Sequence, residues 1–168
     1  MEIRRRSRIL IVALALCAAP LVAQTNFTYS ANIIGYNLKV IPAGFSMIAN
    51  HWSRTNLTLP ALIPSPPNNT TVYKFNGVGY DSERFLAGRW LTTNLVVNPG
   101  DGVFISAPAT FTNVFSGDLV TVSTNPIPAG FSIRSSVIPM QGQLQADLTY
   151  TPVNGDTIYF YNGSGYNS

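Results

Sequence analysis

The feature that most constrains this chain is an internal repeat with a period of 86 residues. Residues 41–82 align with residues 127–168 without a gap, and 16 of the 42 aligned positions are identical. Self-similarity at a fixed spacing is the signature of a duplicated structural unit. The sequence therefore predicts two tandem copies of one unit.

The second copy is incomplete, because Ser168 aligns with Ser82 and nothing in the sequence aligns with residues 83–118. A sheet protein that stops partway through a unit leaves open strand edges, which natural proteins avoid. We therefore expect a truncated reading frame that lacks roughly 40 or more residues of the second unit.

The residues that match between the copies are mostly turn formers and aromatics. They include Pro42 and Gly44, which recur as Pro128 and Gly130. Glycine suits backbone positions with positive φ, and aromatic rings fill cores. The repeat thus indicates a shared backbone and needs no ligand to explain it.

The pattern along one unit predicts an all-β fold. Apolar and polar residues alternate over residues 34–40, which is typical of a half-buried strand. Turn signals occur at residues 42–44, at Asn76-Gly77 and at residues 98–102. Further strands are predicted at residues 45–49, 71–75, 78–81, 90–97, 103–106 and 111–115, and a short helical turn is compatible with residues 59–63. Such spacing favours a small antiparallel β-sandwich or a barrel-like unit.

Residues 1–23 have the pattern of a signal peptide. Four arginines precede a short apolar run over residues 9–16, and small residues then lead to a predicted cleavage between Ala23 and Gln24. The apolar run is too short for a membrane-spanning helix. We expect a secreted or cell-surface protein with no membrane span after cleavage, a first unit at residues 24–118 and a second at residues 119–168.

The exported part of the chain is neutral. Residues 24–168 contain six Lys or Arg and six Asp or Glu, which excludes the basic footprint of a nucleic-acid-binding protein. Cys17 is the only cysteine and lies in the predicted leader. The exported chain therefore has no disulfide, no thiolate nucleophile and no cysteine metal site.

The segments at residues 41–46, 72–77 and 98–105 resemble a group of exported repeat proteins common among Verrucomicrobia and related environmental bacteria. Those proteins carry motifs such as PAGFSLIAN, VYKFNG and PGEGFF. The resemblance covers residues 33–168 and implies a bacterial secreted protein with paired units. It transfers no catalytic or binding residue, and Asp101 stands where the group usually has Glu.

No set of residues in the sequence favours catalysis or metal binding. His51 is the only histidine, and no serine lies in a Gly-x-Ser-x-Gly elbow. Asp81 and Glu83 are the one close carboxylate pair, and exposed turn acids are their simpler interpretation. Asp101 and Asp156 lie outside any Asp-x-Asp-x-Asp-Gly calcium loop. We expect no catalytic residue, no metal and no cofactor.

Glycan binding is the most specific binding hypothesis, because sugars stack on exposed aromatic rings that a β-scaffold holds rigid. The candidates near predicted turns are Trp52, Trp90, Tyr80 and Tyr166. The alternative is that these rings fill the core, as large aromatics usually do. Recurrence of the tyrosines in both copies favours packing for them.

The sequence thus predicts an exported, non-enzymatic β-repeat module with a structural or interaction role at the cell surface or outside the cell. The first alternative is a carbohydrate-binding module. A weaker alternative is an accessory region of a larger secreted enzyme. An extracellular glycan or protein would be the partner, and the sequence does not identify it.

Overall fold

A computed structural model describes residues 34–92, 94–120 and 124–168. The predicted signal peptide at residues 1–23 lies outside the described residues. The segment predicted to open the second copy, residues 119–123, is described only in part.

The described chain is all-β with antiparallel sheets, as predicted. Its helix, α1, has four residues, and no helix within the described ranges is long and apolar enough to cross a membrane. The elements in chain order are β1 (Ile34–Ile41), β2 (Gly44–Ala49), β3 (Trp52–Ser53), α1 (Leu59–Leu62), β4 (Thr71–Phe75), β5 (Tyr80–Leu86), β6 (Arg89–Trp90), β7 (Gly102–Ala107), β8 (Phe111–Leu119), β9 (Phe160–Tyr161) and β10 (Tyr166–Asn167).

Two sheets are built around β7 and β8. The three-stranded sheet has the order β1-β8-β3, and the five-stranded sheet has the order β2-β7-β4-β5-β6. Strand β1 pairs with β8 along its whole length while β2 pairs with β7. The β1–β2 connection also meets the β7–β8 connection, since the backbone N–H of Ala43 donates to Thr110 Oγ1 at 3.1 Å.

One hydrophobic core joins the two sheets and α1. Its members come from the three-stranded sheet, the five-stranded sheet and the helix, and the most completely buried apolar side chains are Ile41, Leu59, Leu62, Ile63, Val72, Val103 and Ile105. Alternate residues of β7, at positions 103, 105 and 107, supply this core together with Val72 of β4.

Strand β1 alternates as predicted, but its apolar side faces away from the core. Tyr36 is 71% exposed and Leu38 is 64% exposed, whereas the intervening Asn37 lies on the inner side with Ile41. The reason is Trp52, whose ring lies directly over Gly35 and whose Nε1 donates to Asn37 Oδ1 at 3.2 Å. A glycine and an amide on the inner face accommodate the indole, so the apolar residues are left outside.

The strand predicted at residues 90–97 is wrong beyond its first residue. Strand β6 has two residues, and the chain then leaves the sheet to cover α1. The backbone N–H of Leu59 donates to Leu95 O at 3.3 Å, and that of Val97 donates to Leu57 O at 3.0 Å. These loop-to-loop hydrogen bonds satisfy the backbone that a β-ladder would otherwise satisfy.

The hairpin predicted at Asn76-Gly77 is present, with four connecting residues at 76–79. Asn76 Oδ1 accepts from the N–H groups of Val78 and Gly79, which widens the turn beyond two residues. The β9–β10 hairpin at the aligned position has the same geometry. Asn162 Oδ1 accepts from Ser164 and Gly165, and Gly77 and Gly163 both have φ of 100°.

Residues 124–159 form no strand, although the aligned residues 38–73 contain β2 and the last part of β1. In the first copy those strands need β7 and β8 as partners. Within residues 124–168, the β9–β10 hairpin is the part that forms paired strands.

Replacing Gly35 with Ala tests the packing of Trp52. The added Cβ would overlap the Trp52 ring, which is buried. We expect Gly35→Ala to lower the free energy of unfolding by about 1–3 kcal/mol, measured by urea denaturation followed by Trp fluorescence. Gly79→Ala is the matched control, because a Cβ there meets nothing within 4 Å. Equal stability of the two variants would contradict this account.

Candidate functional site

The two tryptophan candidates lie in the core. Trp52 and Trp90 are each 5% exposed. Their indole N–H groups are satisfied internally, since Trp52 Nε1 bonds Asn37 Oδ1 and Trp90 Nε1 donates to Ile63 O at 2.8 Å. Neither ring presents a face to solvent, so the core-packing alternative describes both and neither can stack on a sugar in this structure.

The two tyrosine candidates are half-exposed. Tyr80 is 46% and Tyr166 is 48% exposed, and each begins the second strand of its hairpin. The structure brings them together with two further tyrosines, Tyr159 and Tyr161. We call these four residues the tyrosine cluster.

Ring-to-ring contacts link the tyrosine cluster across the two copies. Tyr80 packs on Phe104 with ring centroids 6.1 Å apart, and Phe104 packs on Tyr161 at 5.3 Å. Tyr166 then contacts both Tyr161, at 5.6 Å, and Tyr159, at 6.1 Å. Partial burial, followed by the neighbouring Tyr80 and Tyr161 phenols, raises the pKa of Tyr166, so that its hydroxyl stays neutral and can donate hydrogen bonds.

The cluster depends on the second copy lying against the outer side of the five-stranded sheet. Phe131 packs edge-on against Phe75 of β4, with centroids 5.1 Å apart. Backbone hydrogen bonds fix the same segment, because Ser135 N–H donates to Gly100 O at 2.9 Å and Gly102 N–H to Ile133 O at 3.2 Å.

An ion triad reinforces this docking. Asp101 is 6% exposed, and its Oδ2 accepts from Lys74 Nζ at 2.7 Å while its Oδ1 accepts from Arg134 Nη1 at 2.8 Å. The backbone N–H of Asn98 also donates to Oδ2 at 3.0 Å. The Asp101 carboxylate therefore serves as a structural connector between the copies.

Asp156 is also engaged in hydrogen bonds within the protein. Asp156 Oδ2 accepts from Tyr150 Oη at 2.6 Å and from the backbone of Val153, and these bonds lower the pKa of Asp156. In the described parts of the chain, no group of three or more His, Cys, Asp or Glu residues could hold a metal ion.

Asp81 and Glu83 differ in burial, which corrects their interpretation as a pair of exposed turn acids. Asp81 is exposed and accepts from Asn76 Nδ2 at 2.9 Å. Glu83 is 3% exposed and shares the core side of its sheet with Val72. Burial raises the pKa of Glu83, although Thr92 Oγ1 donates to its Oε1 at 2.8 Å.

No family model matches this chain, and no curated protein and no solved structure matches it. The function is therefore inferred from the geometry of these side chains alone.

Two features of the structure were not signalled by the sequence. The first is the solvent-facing side of β1 and β8, which carries Ile34, Tyr36, Leu38, Val40 and Val114. We call it the outer apolar face. The alternation of apolar and polar residues in β1 was visible in the sequence. Which side of β1 faces inward depends on the packing of Trp52.

The second is a cavity of about 390 Å³ between β1, the end of β2 and residues 134–141. Its lining includes Asn37, Lys39, His51 and Arg134. These residues are up to 97 positions apart in the chain. No local motif could have connected them, because the docking of the second copy creates the site.

Replacing Glu83 with Gln tests the cost of its buried charge. Oε2 of Glu83 has no hydrogen-bond partner among the described residues, so a neutral amide is easier to bury. We expect Glu83→Gln to raise the free energy of unfolding at pH 7 by about 1 kcal/mol, measured by urea denaturation.

The pH dependence of that gain follows from the raised pKa of Glu83 in the folded state. Below the pKa of an unfolded glutamate, the carboxyl is protonated in both states and Glu83→Gln should gain nothing. The gain should appear as pH rises through the interval between the unfolded and folded pKa values, and then stay constant. Asp81→Asn is the matched control, since Asn167 occupies the aligned position, and its effect should stay within about 0.5 kcal/mol at every pH. A pH-independent gain for Glu83→Gln would contradict this account.

Proposed function

We propose that the protein is an exported, non-enzymatic β-repeat module with a structural role outside the cell or at its surface. The observation that carries this proposal is the outer apolar face. Its five apolar side chains are between 51% and 77% exposed. Together they expose roughly 500 Å², near the upper end of the largest apolar patch on a typical monomer.

A second copy of this chain is the occupant that this face fits. The face is continuous because it belongs to one antiparallel pair of strands, in which Leu38 lies opposite Val114. Two such faces packed together would bury about 1,000 Å², which is near the lower limit for a specific interface. The balanced charge of residues 24–168 places no net repulsion between copies.

Charge placed in the outer apolar face should prevent self-association. We expect the purified chain to dimerise with rising concentration in sedimentation equilibrium, and Leu38→Glu to remain monomeric because it buries a charge in the interface. Val78→Glu is the matched control, since Val78 is 98% exposed on the β4–β5 turn and should not affect the dimer. A wild-type chain that stays monomeric up to ~1 mM would overturn the self-association.

The second candidate function is carbohydrate binding, which the tyrosine cluster favours. Tyr80, Tyr159 and Tyr166 are each about half exposed and are held by ring contacts, so their orientation is fixed before a ligand arrives. A tyrosine ring offers an apolar face and a hydrogen-bonding hydroxyl, and a sugar presents the same combination. The outer apolar face belongs to the three-stranded sheet, whereas the tyrosine cluster lies on the five-stranded sheet and the β9–β10 hairpin. Both functions can therefore coexist.

Ring removal in the tyrosine cluster tests this second candidate. We expect the chain to bind neutral polysaccharides on a glycan array, and Tyr80→Ala or Tyr166→Ala to weaken binding about tenfold, measured by affinity electrophoresis. Tyr80→Phe keeps the stacking face and should retain most of the affinity. Tyr36→Ala removes an exposed tyrosine outside the cluster and should have no effect. Absence of glycan binding, or binding unchanged in both alanine variants, would exclude the candidate.

A further inference from the structure

The cavity between the two copies has the size of a small-ligand site. Its volume of about 390 Å³ lies within the range of known ligand pockets, and it opens between the inner side of β1, the end of β2 and residues 134–141. Three nitrogen-bearing side chains capable of positive charge, Lys39, His51 and Arg134, line it, and no carboxylate does.

Lys39 lies on the side of β1 that faces the core. Its cross-strand partner Asn113 is buried, and so is Phe115, the partner of Asn37. Among the described residues, both salt bridges belong to Asp101, and neither includes Lys39. Lys39 is exposed although it lines the cavity, so its ammonium group is accessible to a ligand there.

Arg134 adds positive charge although it contacts Asp101. The single carboxylate of Asp101 bonds both Arg134 and Lys74, so the triad retains one net positive charge. A guanidinium has five N–H donors, and Asp101 takes one through Nη1. Arg134 therefore keeps donors for a ligand while Asp101 holds its position.

His51 and Asn37 supply oriented hydrogen-bonding groups. The His51 Nδ1 lies 2.8 Å from Ser136 O, and a carbonyl only accepts, so Nδ1 carries the proton and Nε2 is left for a ligand. Asn37 Oδ1 accepts from Trp52 Nε1, which leaves the two amide donors of Asn37. Hydroxyl groups match such a mixture of donors and acceptors.

Apolar side chains form the rest of the wall. Met47, Phe115 and Met140 line the cavity beside the polar groups. This combination suits a ring with hydroxyl groups and one anionic substituent better than it suits a bare inorganic anion.

We propose that this cavity binds a monosaccharide-sized ligand carrying one carboxylate, the chemistry of a uronic acid. Lys39 and Arg134 bond the carboxylate, while Asn37 and His51 bond ring hydroxyls. The cavity is separate from the outer apolar face and from the tyrosine cluster. Ligand binding in the cavity can therefore be tested independently of the proposed function.

Isothermal titration of the full chain with glucuronate, glucose and acetate tests the ligand class. We expect glucuronate to bind at least about tenfold more tightly than glucose, which lacks the carboxylate, and than acetate, which lacks the ring. Higher ionic strength should weaken glucuronate binding, because part of the attraction is between partly exposed charges. Amide NMR signals of residues around Lys39, His51 and Arg134 should shift on titration.

Lys39→Gln removes a positive charge from the cavity without removing a salt bridge, because Lys39 is exposed and pairs with no carboxylate among the described residues. We expect it to weaken glucuronate binding about tenfold without changing the unfolding midpoint, and Lys39→Arg to retain binding. Arg89→Gln is the matched control, since Arg89 is exposed on β6 and lies outside the cavity lining.

Four results would overturn the proposal. Three are the absence of glucuronate binding, equal affinity for acetate and glucuronate, and unchanged affinity in a folded Lys39→Gln variant. The fourth is equal affinity for glucose and glucuronate, which would show a neutral-sugar site.

Discussion

Backbone pairing between two distant pairs of consecutive strands holds this fold together. Strands β1 and β2, near the start of the described residues, pair with β8 and β7 respectively, more than 50 residues later. Strand β7 lies inside one sheet and β8 inside the other, so the β1–β2 and β7–β8 connections both cross between the two sheets that enclose a single core. Among the described residues of 34–120, every other strand except β5 and β6 pairs directly with β7 or β8.

Residues 124–168 join neither of these two sheets, and their strands β9 and β10 pair with each other. A strand satisfies its backbone only through a neighbouring strand. These residues instead cover the outer side of the five-stranded sheet, where Phe131 packs on Phe75 and Arg134 bonds Asp101. That docking creates both the tyrosine cluster and the cavity that contains Lys39.

Local sequence signals predicted the turns and most strands well. The Asn-Gly pairs gave hairpins with the same glycine φ in both copies, and the Pro-Ala-Gly turn preceded β2 as expected. The predictions that depended on tertiary contacts were less accurate. Residues 94–97 lie outside the sheet and cover α1, and Trp52 and Trp90 were buried where their position near turns had suggested access. Neither outcome follows from residue spacing, because both depend on which elements pack against those residues.

The sequence by itself determined the all-β class, the two hairpin turns and the repeat spacing, because glycine conformation, proline geometry and strand alternation act over a few residues. The tertiary structure decided which side of β1 faces inward, since only Gly35 leaves room for the ring of Trp52. It also decided which side chains meet at a site. Lys39 and Arg134 line one cavity because the second copy lies against the first, and contacts between residues so far apart in the chain are set by packing.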